Sequence, residues 1–352
     1  PQQLNYALIF NEFPTKTIGM ILDGKSYIDQ VEVDIPLNKK EFSLEAVRMD
    51  SEAAKKDSLF WDNSRAEKLN NAEMTTYKVI DSIGKKANFD GFLTFMEKFA
   101  QGRIPAGPID IDLSKTFSYN KYEKLRLGTG FYTNEKLFKD LTLGGFFGYG
   151  MEDHDWKCGG EILYRISKEN EMVVGAKYQQ NLMETGNYCL NTYEPSLYNF
   201  RNYIGYQYDM IRQNNLNFSF RTLRYLKFKV DFNHTKTTPR YEYLFNDGNR
   251  DFRNYTTTDL TFHLRFAYKE KFVNSMNQRY SMGTKYPVFN LAYTKGIKNL
   301  IDSDFDYNRI EASVQQSFFT KNFGQTDYRL EAGFIDKPLP YGLLFTGEGS
   351  YD

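Results

Sequence analysis

The feature that most constrains this sequence is a period-two alternation of apolar and polar side chains, which begins near Ile109 and continues almost to its end. Such alternation gives each strand one apolar and one polar face, and here the polar positions carry full charges as well as Ser and Thr. The clearest segments begin at Leu216, Leu226, Leu260, Ile310 and Tyr328. From residue 109 onward the sequence therefore predicts antiparallel β-structure.

Three features favour a membrane barrel over a soluble β-sandwich. The strands number about a dozen, and many approach the roughly ten residues that cross a bilayer at a tilt. A sheet this large is too big for a closed soluble barrel with a filled interior, whereas an outer-membrane barrel can enclose polar space. Tyr and Phe recur near strand ends, where an interfacial girdle belongs, as at Tyr122, Tyr149, Tyr286 and Tyr307.

We therefore predict an all-β fold, an antiparallel transmembrane β-barrel preceded by a short helical periplasmic segment. We expect at least 12 strands in this chain, as part of a larger barrel of about 16 strands. A soluble β-sandwich remains the alternative, and the direction of Leu226, Phe228, Val230 and Phe232 distinguishes the two. These side chains point outward to lipid in a barrel and inward to a core in a sandwich.

Composition agrees with this choice. The mean hydropathy is −0.61, and no run of about eighteen apolar residues occurs, so a helical membrane span is excluded. Lys plus Arg and Asp plus Glu each number 45, so nothing favours nucleic acid as a partner. We expect outer-membrane lipid as a partner, together with other outer-membrane or periplasmic subunits.

The connections between the predicted strands alternate in length. Residues 167–170 and Asn214-Asn215 are predicted to be tight turns, whereas residues 183–200, 238–254 and 269–284 are longer, polar and contain aromatics. Short turns on one side and long loops on the other are typical of outer-membrane barrels.

We divide the chain into three parts. Residues 1–43 form an extended linker or the end of a periplasmic domain, residues 44–105 a helical periplasmic segment, and residues 106–352 the barrel. The chain opens at Pro1 without a signal-peptide pattern, so we interpret it as mature or internally cut. It ends soon after Gly342-Leu343-Leu344-Phe345, which looks like mid-strand, so we expect the barrel to lack its C-terminal strands here.

Two apolar stripes mark the helical segment. The first contains Tyr77 and Ile80, and the second contains Phe92, Met96 and Phe99 before Gly102 at a C′ position. These helices either plug or cap the periplasmic mouth of the barrel, dock a partner subunit through Phe92, Met96 and Phe99, or pack against the barrel rim.

Several ordered motifs resemble a Bacteroidota outer-membrane β-barrel family of unknown function, which usually carries a preceding carboxypeptidase-regulatory-like domain. The motifs are Phe60-Trp61-Asp62, Thr76-Tyr77-Lys78-Val79-Ile80, Gly102-Arg103-Ile104-Pro105, Leu125-Arg126-Leu127-Gly128, Gly148-Tyr149-Gly150 and Lys269-Glu270-Lys271-Phe272. The sequence departs from the family pattern at Lys124, where Gly is expected, and at Cys158, where an aromatic is expected. The resemblance implies the outer membrane of a Gram-negative bacterium, a periplasmic N-terminal segment and no known activity.

The polar face of the predicted strands supplies the candidate site residues. They are Lys227, Lys229, Asp231, His263, Arg265, Arg329 and Glu331. They either line a lumen and set its selectivity, or pair with one another in a network that only fills the barrel.

Few residues suggest catalysis or metal binding. Asp153-His154-Asp155 and the trio Asp302, Asp304 and Asp306 are weak metal candidates, and a solvated loop explains both better. Cys158 and Cys189 form either one disulfide or two unrelated thiols. We predict no enzyme activity, no cofactor and no metal.

Two functions remain open. The first is a barrel that serves as a conduit or as a subunit of an envelope transport or assembly machine. The alternative is an outer-membrane hydrolase acting on lipid or peptide. A hydrolase needs a nucleophile beside a base, so a Ser or Thr hydroxyl should lie within reach of His154, His234 or His263.

Overall fold

The structure is a computed structural model. It describes residues 2–10, 20–28, 33, 36, 45–48, 56–65, 67–86, 91, 95, 98–99, 102–186, 190, 205, 207–248, 250–275, 278–321 and 324–345. The chain divides into two compact units. The first is Pro1–Ile83 with Phe272–Ser281, and the second is Gly84–Lys271 with Met282–Asp352.

The first unit combines small sheets with two helices. Its elements are β1 (Gln2–Phe10), β2 (Met20–Ile28), β3 (Glu45–Arg48), α1 (Ser58–Ser64), α2 (Asn71–Lys86), β16 (Phe272–Ser275) and β17 (Gln278–Ser281). Strands β1 and β2 form an antiparallel hairpin. Strand β16 pairs with β17 and, in parallel, with β3.

Local capping defines where the two helices begin. The Asp57 carboxylate accepts a hydrogen bond from the Phe60 amide at 2.8 Å, which starts α1. At α2, the Glu73 amide donates to the Asn70 side chain and the Asn70 amide donates to the Glu73 carboxylate, both at 2.8 Å. This reciprocal pair is a capping box. None of the described helices is long and apolar enough to cross a membrane.

The second unit is dominated by one sheet of thirteen strands. Its strands, with the separate pair β13 and β14, are β4 (Arg103–Ala106), β5 (Ile109–Asp112), β6 (Phe117–Asn120), β7 (Lys124–Thr133), β8 (Leu141–Gly150), β9 (Trp156–Ser167), β10 (Met172–Glu184), β11 (Tyr208–Thr222), β12 (Leu226–Pro239), β13 (Phe245–Asn246), β14 (Asp251–Phe252), β15 (Tyr255–Ala267), β18 (Val288–Gly296), β19 (Tyr307–Thr320) and β20 (Gly324–Ile335). The order is β20-β19-β18-β15-β12-β11-β10-β9-β8-β7-β5-β4, with β6 also on β7. Every pairing in this sheet is antiparallel.

One face of this sheet is apolar and exposed. A single cross-strand row runs from β8 to β20 through Leu141, Tyr164, Val174, Phe218, Val230, Phe262, Tyr293, Ile310 and Phe334. Within it, Tyr164 is 50 %, Phe262 45 % and Phe334 62 % exposed. The half-buried side chains of Leu226, Phe228 and Phe232 share this face by register, since they alternate with the polar positions of β12.

The other face is polar and buried. Asp231, Thr261 and Thr294 occupy the adjacent cross-strand row and are 5 %, 3 % and 4 % exposed. A soluble sandwich would bury the apolar face instead, so this inversion excludes it. The predicted antiparallel β-barrel fold is confirmed, with polar residues inside and apolar residues outside.

Curvature brings distant strands together on the polar face. Arg126 on β7 donates to the Asn181 side chain on β10 at 2.9 Å, although β8 and β9 lie between them. Neighbouring strands are about 4.8 Å apart, so a flat sheet would separate these two strands by roughly 14 Å. The polar face is therefore concave.

The strands have two distinct ends. At the turn end, the connections 168–171, 223–225 and 321–323 are short. At the loop end, the connections 185–207, 240–254 and 297–306 are longer. The predicted separation of short turns from long loops has two exceptions. Residues 268–287 form a long connection at the turn end, and residues 151–155 form a short turn at the loop end.

Two local predictions are wrong. Asn214-Asn215 is not a turn but the middle of β11, where the Asn215 side-chain Nδ2 donates to Asp231 and Asn233 on the polar face. Gly342-Leu343-Leu344-Phe345 is not a strand, because residues Tyr341–Leu343 form a 3-10 turn. Pro338 and Pro340 lack the backbone donors that a strand ladder requires.

Candidate functional site

The polar face of β12 and β15 carries a compact charged cluster. Asp231 lies 2.9 Å from the Lys229 ammonium and 3.2 Å from His263 Nε2, and it accepts a hydrogen bond from Asn215 at 3.0 Å. The carboxylate of Asp231 is buried, while the Lys229 side chain is 45 % exposed. Three residues predicted to face the lumen, Lys229, Asp231 and His263, are therefore brought together.

This cluster continues as a polar ladder toward the loop end. Asn233 donates to Asp259 at 3.0 Å, and the hydroxyls of Thr261 and Thr294 are 3.0 Å apart. On β19, Arg309 pairs with the buried Glu311 at 2.7 Å. Each buried charge on this ladder has a hydrogen-bonding neighbour, as burial of polar groups requires.

A second charged group lies at the turn end. Arg221 contacts Glu171 at 2.8 Å and Glu270 at 3.4 Å, and Arg265 binds Glu270 through two bonds of 2.7 and 2.8 Å. Lys227 reaches Glu171 at 3.2 Å. Burial raises the pKa of Glu171, but the hydrogen bonds and charges of Arg221 and Lys227 outweigh it and leave that pKa below its ordinary value.

The last two predicted lumen residues sit apart from both groups. Arg329 and Glu331 pair with each other on β20, the final strand of the sheet order. Whether any of these residues sets the selectivity of a lumen remains a prediction. The sequence pattern does not single out Glu171, Glu270 and Arg221 as site residues. The two glutamates lie in connections, and they are 50 and 49 residues from Arg221 in sequence.

A third charged cluster sits at the loop end of β7 to β9. Arg126 binds Glu123 through bonds of 2.6 and 2.7 Å, and Lys157 lies 3.0 Å from the same carboxylate. Lys157 also contacts Asp153. Both Glu123 and Lys157 are fully buried, so the two cations and two carboxylates neutralise one another inside the protein.

A buried, mainly aromatic cluster lies at the loop end of the sheet. Its buried members are Phe252, Tyr255, Phe305, Tyr307 and Leu339. They come from the connections 240–254 and 297–306, from the loop ends of β15 and β19, and from the segment after β20.

We call residues 336–345, which follow β20, the strap. The Tyr341 amide donates to the Tyr243 hydroxyl at 2.7 Å, and Arg309 donates to the Leu343 carbonyl at 3.1 Å. The Phe345 ring stacks on the Arg309 guanidinium, with 4.5 Å from Cζ to the ring centroid. Because Arg309 lies on the polar face of β19, these contacts hold the strap across the concave side of the sheet.

Exposure along β19 shows how far this closure extends. On its polar face, Tyr307, Arg309, Glu311 and Ser313 are buried, whereas Gln315, nearer the turn end, is exposed. Along β19, therefore, the polar face is covered toward the loop end and open toward the turn end, whereas Arg221 and Ala267 are buried at the turn end of β11 and β15.

Two of the weak metal candidates, Asp153 and Asp306, form ion pairs with lysine side chains. Asp153 contacts Lys157, while Asp306 lies 2.8 Å from Lys295 and 2.7 Å from Lys337. Asp304 accepts from the Thr256 amide at 2.7 Å. Within the described part of the chain, no three His, Cys, Asp or Glu side chains are arranged as metal ligands would be.

One histidine does approach a hydroxyl. His234 Nδ1 lies 3.0 Å from Thr258 Oγ1, its cross-strand neighbour on β15. Thr258 has no exposed surface, so a substrate cannot reach its hydroxyl in this conformation. His154 is 3.4 Å from the Tyr149 hydroxyl in the turn between β8 and β9.

The remaining candidates lie partly outside the described residues. Cys158 is exposed on β9, and Cys189 falls outside, so the disulfide remains a prediction. Phe99 is 50 % exposed, while Phe92 and Met96 also lie outside the described residues.

Comparison with known proteins supplies a family but no activity. The sequence model of the C-terminal domain of a family of unknown function (DUF5686) matches residues 109–337. No curated protein matches the chain. A similar solved structure, BamA from Haemophilus ducreyi lacking POTRA domains 1-3, has a TM-score of 0.39 and 10 % identity over 65 % of this chain and 41 % of that chain. The chain thus spans less than half of that structure, and by its own residues 109–337 it belongs to the DUF5686 family of unknown function.

Proposed function

We propose that this chain is an outer-membrane β-barrel protein that acts as a non-catalytic subunit of an envelope transport or assembly machine. The observation that carries this proposal is that the strap and the aromatic cluster cover the polar face at the loop end. An open conduit needs a continuous polar path, and the strap and the aromatic cluster lie on that path at the loop end.

The exposed apolar face supports a membrane location. An apolar row such as that from Leu141 to Phe334 would be costly in water, and a lipid bilayer is the environment that matches it. Short turns usually face the periplasm in such barrels, so we place the turn end there. The turn end of the polar face would then lie toward periplasmic partners.

Conductance and particle size test the choice between subunit and conduit. We expect no steady single-channel conductance when the purified chain is reconstituted in planar bilayers. We also expect it to leave gently solubilised membranes in a particle larger than one chain. Steady conductance by the unmodified chain would favour a conduit, and a clean monomer in mild detergent would exclude a stable subunit role.

Cys158 offers a test of membrane embedding. It pairs across the sheet with Phe147, which is exposed on the apolar face. With Cys189 changed to Ser, a fluorophore on Cys158 should be quenched by brominated lipid. The control carries Lys229→Cys in a cysteine-free background and should escape quenching. Equal quenching at both positions would contradict the proposed orientation.

The hydrolase alternative rests on the contact between His234 and Thr258. If it is correct, Thr258→Val and His234→Gln should each abolish hydrolysis of lipid or peptide substrates by a folded protein. Because Thr258 is buried, we expect no such hydrolysis from the unmodified chain.

A further inference from the structure

Three buried polar groups meet beneath the strap, and among the described residues the Thr185 hydroxyl is the hydrogen-bonding neighbour that the other two share. The atoms concerned are Asp209 Oδ1, Thr185 Oγ1 and Tyr241 Oη, all without exposed surface. Asp209 and Thr185 are each 4 % exposed, and no charged partner accompanies Asp209 among the described residues. A buried carboxylate with one neutral hydroxyl and no cation beside it is costly, so this group calls for a positively charged ligand.

The geometry of Gly342 shows that these groups converge. A Cβ added at Gly342 would collide with the Tyr255 hydroxyl, and it would lie 2.8 Å from Asp209 Oδ2 and 3.7 Å from Thr185 Cγ2. Tyr241 is close enough to Asp209 to interact with its charge. Three separate parts of the chain, the loop ends of β10, β11 and β15, therefore meet the strap at one point.

From this arrangement we infer that Asp209, Thr185 and Tyr241 form a binding site for a small monovalent cation, Na⁺ or K⁺. Carboxylate and hydroxyl oxygens are the hard ligands that such ions share with other oxygen-coordinated cations. A single carboxylate balances one positive charge, which favours a monovalent over a divalent ion. The site goes beyond the proposed function, because it depends on these three side chains and not on a partner or a transport role.

Thermal unfolding in detergent micelles tests the site without any membrane assay. The chain is unfolded in NaCl, KCl or choline chloride at equal ionic strength, and circular dichroism reports the midpoint. We expect Na⁺ or K⁺ to raise the midpoint relative to choline, by roughly 5 °C or more at about a hundred times Kd. The variant Asp209→Asn should lose this difference.

A matched control separates the site from a general effect of salt. Asp259→Asn also alters a buried carboxylate, but one that already accepts hydrogen bonds from Asn233 and Thr261. It should lower the midpoint in every salt and keep the difference between Na⁺ or K⁺ and choline. If Asp209→Asn does not fold, Thr185→Val serves instead and should weaken the cation affinity about tenfold.

Several results would overturn the inference. One is an equal midpoint for the unmodified chain in all three salts. Another is a cation effect that survives both Asp209→Asn and Thr185→Val. In a fourth sample with CaCl₂ at the same ionic strength, a shift seen there and in neither NaCl nor KCl would exclude the monovalent assignment.

Discussion

Arg126 on β7 donates to the side-chain oxygen of Asn181 on β10 at 2.9 Å, across the two strands that separate them in the sheet. The same guanidinium binds the fully buried Glu123 through two short hydrogen bonds. One side chain therefore joins the concave face to a buried charge cluster, and its removal would affect both.

Replacing Arg126 with Met should destabilise the fold by about 3 kcal/mol, because Glu123 would stay buried with only Lys157 as a cationic partner. Chemical unfolding in micelles measures the loss. The control, Arg329→Met, breaks the more exposed pair with Glu331 and should cost less than about 1 kcal/mol. Equal losses in the two variants would show that the buried cluster contributes no more than a surface pair.

A charge on the apolar face should separate a membrane barrel from a soluble sheet. In a bilayer, Phe262→Arg should cost about 2–4 kcal/mol, since a charge at mid-membrane depth on the lipid side is poorly solvated. Lys229→Gln, on the polar face, is the control and should change stability by less than about 1 kcal/mol. Unfolding from lipid vesicles measures both. A neutral or stabilising Phe262→Arg would contradict lipid exposure.

Much of the fold could be predicted because period-two alternation specifies which side chains share a face. The alternation places Phe262 and Val230 on one face and Asp231 on the other, and the register confirms this. Asn215 misled the prediction, because Asn is common in turns yet here bonds to Asp231 inside the barrel. Local composition cannot distinguish these two uses of Asn.

The contacts of the strap at the loop end could not be predicted from the sequence, for a different reason. Arg309 meets Leu343 and Phe345 only because the chain reverses after β20. Asp209 and Gly342 are far apart in sequence, and no periodic pattern connects them. Contacts across a curved sheet depend on curvature, which alternation does not encode.

The connection 297–306 should loosen in acid through Asp306. Hydrogen bonds from Lys295 and then from Lys337 lower the pKa of Asp306 from 3.8 to about 2. A carboxylate whose pKa is lower in the folded state than in the unfolded state stabilises the fold at pH values above the unfolded-state pKa. This stabilisation disappears as the pH falls through the folded-state pKa. The contribution should thus be complete above pH 4 and lost toward pH 2.

Pepsin cleavage mapped by mass spectrometry between pH 4 and pH 2 measures this change. Cleavage within 297–306 should increase as pH falls, modestly because Asp306 is solvent-exposed and screened by salt. In Asp306→Asn the cleavage should already be high at pH 4 and vary less. A variant with the same pH profile as the unmodified chain would assign the acid sensitivity to other carboxylates.

Gly342 should control whether the strap stays in place at the loop end. A Val side chain there would collide with the Tyr255 hydroxyl and Asp209, and neither can retreat easily, because Tyr255 is buried in the aromatic cluster. Gly342→Val should therefore displace the strap at a cost of about 1–3 kcal/mol. We expect faster amide exchange at Leu343 and Leu344. In planar bilayers, we expect ion conductance that the unmodified chain lacks. Gly145→Ala is the control, since its added Cβ would meet only the Gly159 carbonyl at 3.4 Å, an ordinary contact. If Gly342→Val speeds exchange without conductance, the strap is a local cap and the interior is closed by the aromatic cluster alone.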